Sequence, residues 1–122
     1  MQKNEWQMQQ EALVSEIEEA MAVAIAAVRP VCQVVAWQAW ADAHIAMWPD
    51  GRPHCNEIAV AKEVAGKCWA SCPAASFAAW AVAHRLEAKV VGACAVHHLN
   101  REALWCAREA AARAAAAQHP TG

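Results

Sequence analysis

Cysteines and histidines that recur at helical spacing are the residues best suited to chemistry. Cys68 and Cys72 are four positions apart, and Cys94 and His98 repeat that spacing farther along the chain. Residues four apart lie on one face of an α-helix. Three thiolates and one imidazole form a tetrahedral set of the kind that binds zinc. The spacing therefore predicts a candidate zinc site, provided that two helices bring both pairs together.

Packing is the competing interpretation of the same cysteines. An unpaired cysteine behaves as a small hydrophobic residue that fits where alanine-rich helices come close. A turn near Pro73 also places the two pairs at opposite ends of a helix over 74–98, unless that helix breaks at Gly92 or a second subunit contributes. We therefore expect no cofactor, with zinc as the alternative.

A thiol-dependent enzyme or ligand binder is a third possibility. Cys55 follows His54 at the start of a predicted helix, where the helix dipole stabilises a thiolate. His84 lies on an apolar stripe with Phe77 and Trp80. A histidine in such a place is more often a hydrogen-bonded core residue than a ligand, so neither residue is assigned a catalytic role.

Tryptophans supply nearly all the aromatic bulk, because the chain has seven of them, one phenylalanine and no tyrosine. A narrow bundle cannot enclose so many indoles, and exposed tryptophans are enriched where proteins bind one another. Large exposed apolar patches are also rare on monomers. We predict a binding surface for a protein partner or for a second copy of the chain. Its predicted members are Trp6, Trp37, Trp40, Trp48, Trp69 and Trp105.

Charge and missing patterns exclude several classes of protein. The net charge is −2 and the pI is about 6.3, which argues against nucleic-acid binding. No uninterrupted apolar segment is long enough to span a membrane, and no signal region opens the sequence, so we expect a cytoplasmic protein. Neither the Glu-x-x-His pair of di-iron bundles nor a glycine-rich phosphate loop is present.

Apolar periodicity predicts an all-α fold, an antiparallel bundle of four to five alanine-rich helices with short loops. Helix two is apolar nearly all round, which predicts a central position or a subunit contact. Asn100 is predicted to cap the last helix. A single domain is expected over 1–117, with a frayed tail over 118–122. The predicted helices cover about residues 4–28, 31–48, 54–71, 74–98 and 101–117.

The favoured function is a non-enzymatic interaction protein. Small acidic helical domains without a catalytic constellation are typical of inhibitor, immunity and anti-defence proteins, including those encoded by phage. The turn from Asp50 to Pro53, beside alanine-rich helices, is similar to that of small helical bacterial immunity proteins.

Overall fold

The computed structural model describes residues 3–47, 55–91 and 93–118, with the backbone alone given for 44–47, 55–56 and 93–94. All regular structure in this part of the chain is α-helical, which confirms the predicted all-α bundle. None of the described helices combines the length and the apolar character needed to cross a membrane. The helices are α1 (Glu5–Val28), α2 (Val35–Met47), α3 (Cys55–Cys68), α4 (Pro73–Val90) and α5 (Ala93–Gln118).

The first helix begins at a capping box. The Asn4 side chain accepts a hydrogen bond from the backbone amide of Gln7 (2.8 Å), and the Gln7 side chain accepts one from the backbone amide of Asn4 (3.1 Å). Two amides that the first turn leaves without a helical partner are thereby satisfied. The helix ends before Arg29 and Pro30, where the sequence predicts its end.

The break between α4 and α5 lies about eight residues earlier than the sequence predicts. Val91 is extended, with φ −94° and ψ 166°, and α5 begins at Ala93. The prediction of Asn100 as a helix cap is therefore wrong. Asn100 is buried inside α5, and its side-chain oxygen accepts a hydrogen bond from Nη1 of Arg85 (3.3 Å). The apolar spacing continues through Gly92, so periodicity alone does not show the break.

The centre of the bundle is occupied by α4, and the prediction of helix two in that place is wrong. Alanines dominate the buried faces of α4, which lets α3, α5 and α1 approach it closely. By contrast, α2 begins only at Val35, a residue that is 75% exposed. Trp37 binds α2 to α4, because its Nε1 donates a hydrogen bond to the Ala75 carbonyl (3.2 Å).

Parallel packing of α1 and α5 follows from an up-and-down path through five helices. The first turns of α1 and α5 are in contact, and there the side-chain amide of Gln10 donates a hydrogen bond to Nδ1 of His97 (3.1 Å). Farther along, between one and two turns on α1 and about three turns on α5, Glu16 pairs with Arg108. The two helices therefore lie side by side and run in the same direction. Of the tail predicted to fray, Gln118 still belongs to α5, and residues 119–122 lie outside the described part.

Candidate functional site

Three of the six described tryptophans are more than half exposed. They are Trp6 (53%), Trp69 (56%) and Trp105 (55%). Trp40 is half-buried and its ring lies 6.2 Å from that of Trp37. Trp37 itself is fully buried, so its placement on an exposed binding surface is wrong. The remaining predicted member, Trp48, lies outside the described residues.

An aromatic row connects two of the exposed indoles. Phe77 of α4 lies between Trp69 and Trp105, with centroid distances of 5.7 and 5.5 Å and edge-on geometry at both contacts. The Arg113 guanidinium covers the Phe77 ring at 4.8 Å. Edge-to-face rings attract one another through their quadrupoles, so the row holds Trp105 in a defined orientation.

A groove between α1 and α5 begins where the aromatic row ends. Trp105 and Leu104 line it from α5 and Leu13 lines it from α1, and its volume is about 430 Å³. At its mouth the Trp6 ring packs on His97, with a centroid distance of 5.4 Å. Trp105 belongs both to the groove and to the row, so it joins the two features into one surface.

The same groove continues toward the other end of the two helices. A shallower section of about 280 Å³ is lined by small apolar residues, among them Ala20, Val23 and Ala111. Glu16 and Arg108 line both sections, and their ion pair marks the point where the sections meet. At 1.5 Å per residue, the lining from Gln9 to Val23 extends over about 20 Å. We call this whole feature the α1–α5 groove.

Charges of opposite sign line the two sections of the α1–α5 groove. Arg101 lines the section that contains Trp105, and Glu19 lines the section that contains Val23. Both residues are exposed, and neither forms an ion pair with another described residue. The lining of the groove therefore mixes apolar side chains with polar and charged ones, and Arg101 and Glu19 are the lining charges that have no ion-pair partner among the described residues.

The predicted zinc ligands are not brought together as one set. Cys68 and Cys72 lie side by side at the turn between α3 and α4, where the Cys72 amide donates to the Cys68 carbonyl (2.8 Å). His98 is exposed and interacts electrostatically with His84. His84 lies twelve residues after Cys72, which is about 18 Å along α4. The Cys94 side chain lies outside the described part. Among the described side chains, no three cysteine, histidine or acidic residues form a group suited to a metal ion.

Cys32 joins Cys68 and Cys72 in a buried cluster that the sequence reasoning did not find. Cys32 lies in the turn after α1, and its side chain contacts that of Cys72 in the turn between α3 and α4. Burial, with a smaller contribution from the neighbouring thiols, raises the pKa of Cys32 to about 11, and burial also raises that of Cys68. A thiol whose pKa is raised is mostly protonated at neutral pH, so Cys32 and Cys68 are poorly suited to nucleophilic attack.

The two residues considered for a small enzyme gain little support. The side chain of Cys55 lies outside the described part. His84 is half-buried and stacks on Trp80 with a centroid distance of 5.6 Å. Burial lowers the pKa of His84, although Glu87 and Glu102 partly oppose this shift. Its Nδ1 is buried and has no hydrogen-bond partner among the described residues. His84 is therefore a neutral, packed imidazole between α4 and α5.

Comparison of the chain with models of protein families, with curated proteins and with solved structures finds no significant match.

The α1–α5 groove is the feature that sequence reasoning missed. The signal that could have revealed it is the spacing of His97, Arg101 and Trp105, which recur every four residues on α5. Such residues form one exposed stripe once the helix begins at Ala93 rather than after Asn100. Misplacing the start of α5 hid the stripe, because its first member was assigned to another helix.

Proposed function

We propose that this chain is a non-enzymatic interaction protein that binds a protein, either another copy of itself or a different partner, through the α1–α5 groove. The carrying observation is that Trp105, 55% exposed, lines a groove in which Leu13 and Leu104 lie beside polar and charged side chains. An exposed indole beside a cleft and a guanidinium is a composition typical of binding hot spots.

The proposed surface has a centre and an edge. Its centre is Trp105, whose ring is held by Phe77 and therefore loses little conformational freedom when it is covered. Trp6 flanks the surface at the mouth of the groove. Trp69 lies beyond Phe77, at the turn after α3, and we assign it to the edge. Water is excluded best at the centre, so Trp105 should contribute most of the binding free energy.

An inhibitor or immunity role of the kind that small helical proteins perform is compatible with this surface. A groove about 20 Å long between two helices matches about four turns of an incoming amphipathic helix. Side chains on that helix at intervals of three and four residues would enter the groove. The proposal therefore expects a helical element as the bound structure.

Site-specific photo-crosslinking tests the proposal. A photoreactive amino acid at Gln9, which lines the groove, should capture a protein in cells, whether a second copy or a different one. The control places the same group at Lys67, an exposed residue on α3. Crosslinks from position 9 that are absent from position 67 support the proposal. No protein product from position 9, or equal products from both positions, would overturn it.

A further inference from the structure

We infer that the occupant of the α1–α5 groove is the same groove of a second copy, turned around so that the chain forms a symmetric dimer. This inference rests on the proposed function and narrows it to one partner. The observation that favours self-association is the arrangement of the two charges without an ion-pair partner among the described residues, Arg101 in one section of the groove and Glu19 in the other.

A two-fold axis that lies across the groove, at right angles to its length, reverses the direction of the second copy. In such an arrangement the Arg101 end of one chain faces the Glu19 end of its partner, and the reverse contact forms by symmetry. Each dimer then gains two ion pairs between groups that have no ion-pair partner within the described part of one chain. A foreign partner would need matching charges of its own, whereas this groove already carries both signs.

The position of the axis follows from the register of the two parallel helices. The contacts of Gln10 with His97 and of Glu16 with Arg108 show that Arg101 is level with about residue 12 of α1. Glu19 is therefore about seven residues farther along, a separation of roughly 10 Å at 1.5 Å per residue. The midpoint falls at about Glu16 on α1 and at about Ala107 and Arg108 on α5, within one turn of Trp105.

An axis at this midpoint lies at the Glu16–Arg108 ion pair and within one turn of Trp105, the most exposed aromatic group that lines the groove. Trp105 of each copy then packs beside this ion pair, near the apolar lining from Leu13 and Leu104. Val23, which is 57% exposed, is covered toward the rim. The central indoles exclude water while the outer charge pairs set direction and register, which is the usual division between core and rim at an interface.

Charge exchange tests the register. Arg101→Glu alone and Glu19→Arg alone each replace attraction by repulsion at two symmetry-related positions. Each should weaken the dimer at least about tenfold in analytical ultracentrifugation. The double variant, which carries both substitutions, restores opposite charges and should return the dissociation constant to within about threefold of the native value.

Matched controls separate this effect from a general change in charge. Lys67→Glu and Glu63→Arg make the same charge changes on α3, away from the groove, and should leave dimerisation unchanged. Far-ultraviolet circular dichroism confirms that each variant remains folded. Raised salt should weaken the native dimer, because it screens the ion pairs between the two copies.

Each result decides between this inference and the broader proposal. A native dimer whose single charge variants dissociate and whose double variant recovers supports the inference. A dimer whose dissociation constant is the same in the native chain and in both single charge variants overturns the inferred register but leaves the groove as a binding surface. A monomer that crosslinks a different protein from position 9 overturns self-association alone. A monomer without any such crosslink overturns both.

Discussion

Trp105→Ala should dissociate the proposed dimer, whereas Trp69→Ala, which replaces a tryptophan of equal exposure, should not. Trp105 and Trp69 are 55% and 56% exposed, and each makes one edge-on contact with Phe77. Their substitution by alanine therefore costs a similar intramolecular contact, worth about 0.5–1.5 kcal/mol. They differ in that only Trp105 lines the α1–α5 groove.

The magnitude follows from the area that a partner would cover. With 55% of its surface exposed, Trp105 offers roughly 140 Å² to a partner, if a tryptophan side chain has about 250 Å² in all. At about 25 cal/mol per Å² this corresponds to about 3 kcal/mol for each copy, an upper limit because ordering and polar desolvation reduce it. A dimer loses two such contacts, so Trp105→Ala should weaken association by about 4 kcal/mol, or roughly a thousandfold.

Sedimentation equilibrium on the native chain and on both variants measures this difference. Trp105→Ala should sediment as a monomer over the concentration range in which the native chain is dimeric. Trp69→Ala should keep a dissociation constant within about fivefold of the native value. Chemical denaturation should give nearly equal monomer stabilities for the two variants. Equal effects of both substitutions on dimerisation would refute the reasoning, since exposure rather than the groove would then determine binding.

Three further predictions concern the interior. Asn100→Leu removes the hydrogen-bond acceptor of the buried Arg85 guanidinium, so it should lower the free energy of unfolding by about 2–4 kcal/mol in urea titrations. Asn100→Asp retains an acceptor and should therefore lower the free energy of unfolding by less. Cys32 and Cys106, whose pKa values burial raises to about 11 and about 12, should resist alkylation at neutral pH in the folded protein, as measured by peptide mass spectrometry. His84→Gln should flatten the loss of stability on acidification, because burial lowers the pKa of His84 below 6.5 and protonation below that pH favours the unfolded chain.

Controls for these predictions come from the same chain. Equal destabilisation by the leucine and aspartate substitutions would show that shape rather than the acceptor matters at position 100. Rapid alkylation of Cys32 under native conditions would contradict its burial. The native chain should lose stability as the pH falls from about 6.5 toward the lower pKa of folded His84. An unchanged pH profile in His84→Gln would assign that loss to other groups.

Local sequence signals predict much of the fold. Alanine-rich apolar spacing predicts the helical bundle, Pro30 and Pro73 mark a helix end and a helix start, and the structure confirms these features. The break at Val91 is not predicted, because valines and alanines continue the apolar spacing on both sides of it. The interior role of Asn100 depends on the Arg85 side chain of another helix, and such a contact leaves no local signal.

The candidate site could be predicted only in outline. The count of tryptophans indicates that some indoles must remain outside, and Trp6, Trp69 and Trp105 do so. Which ones remain outside depends on packing between helices, and Trp37 is enclosed because its Nε1 reaches the Ala75 carbonyl. The groove itself arises from the parallel approach of the first and last helices, a relation between distant segments that spacing within one helix does not reveal.

The molar mass of the native chain in solution tests the central claim most directly. One chain has a mass of 13.2 kDa. Light scattering coupled to size-exclusion chromatography, over a wide concentration series, should give twice that mass at the higher concentrations and approach the single-chain mass on dilution. A mass of one chain at every concentration would contradict the proposed pairing of the α1–α5 groove with itself.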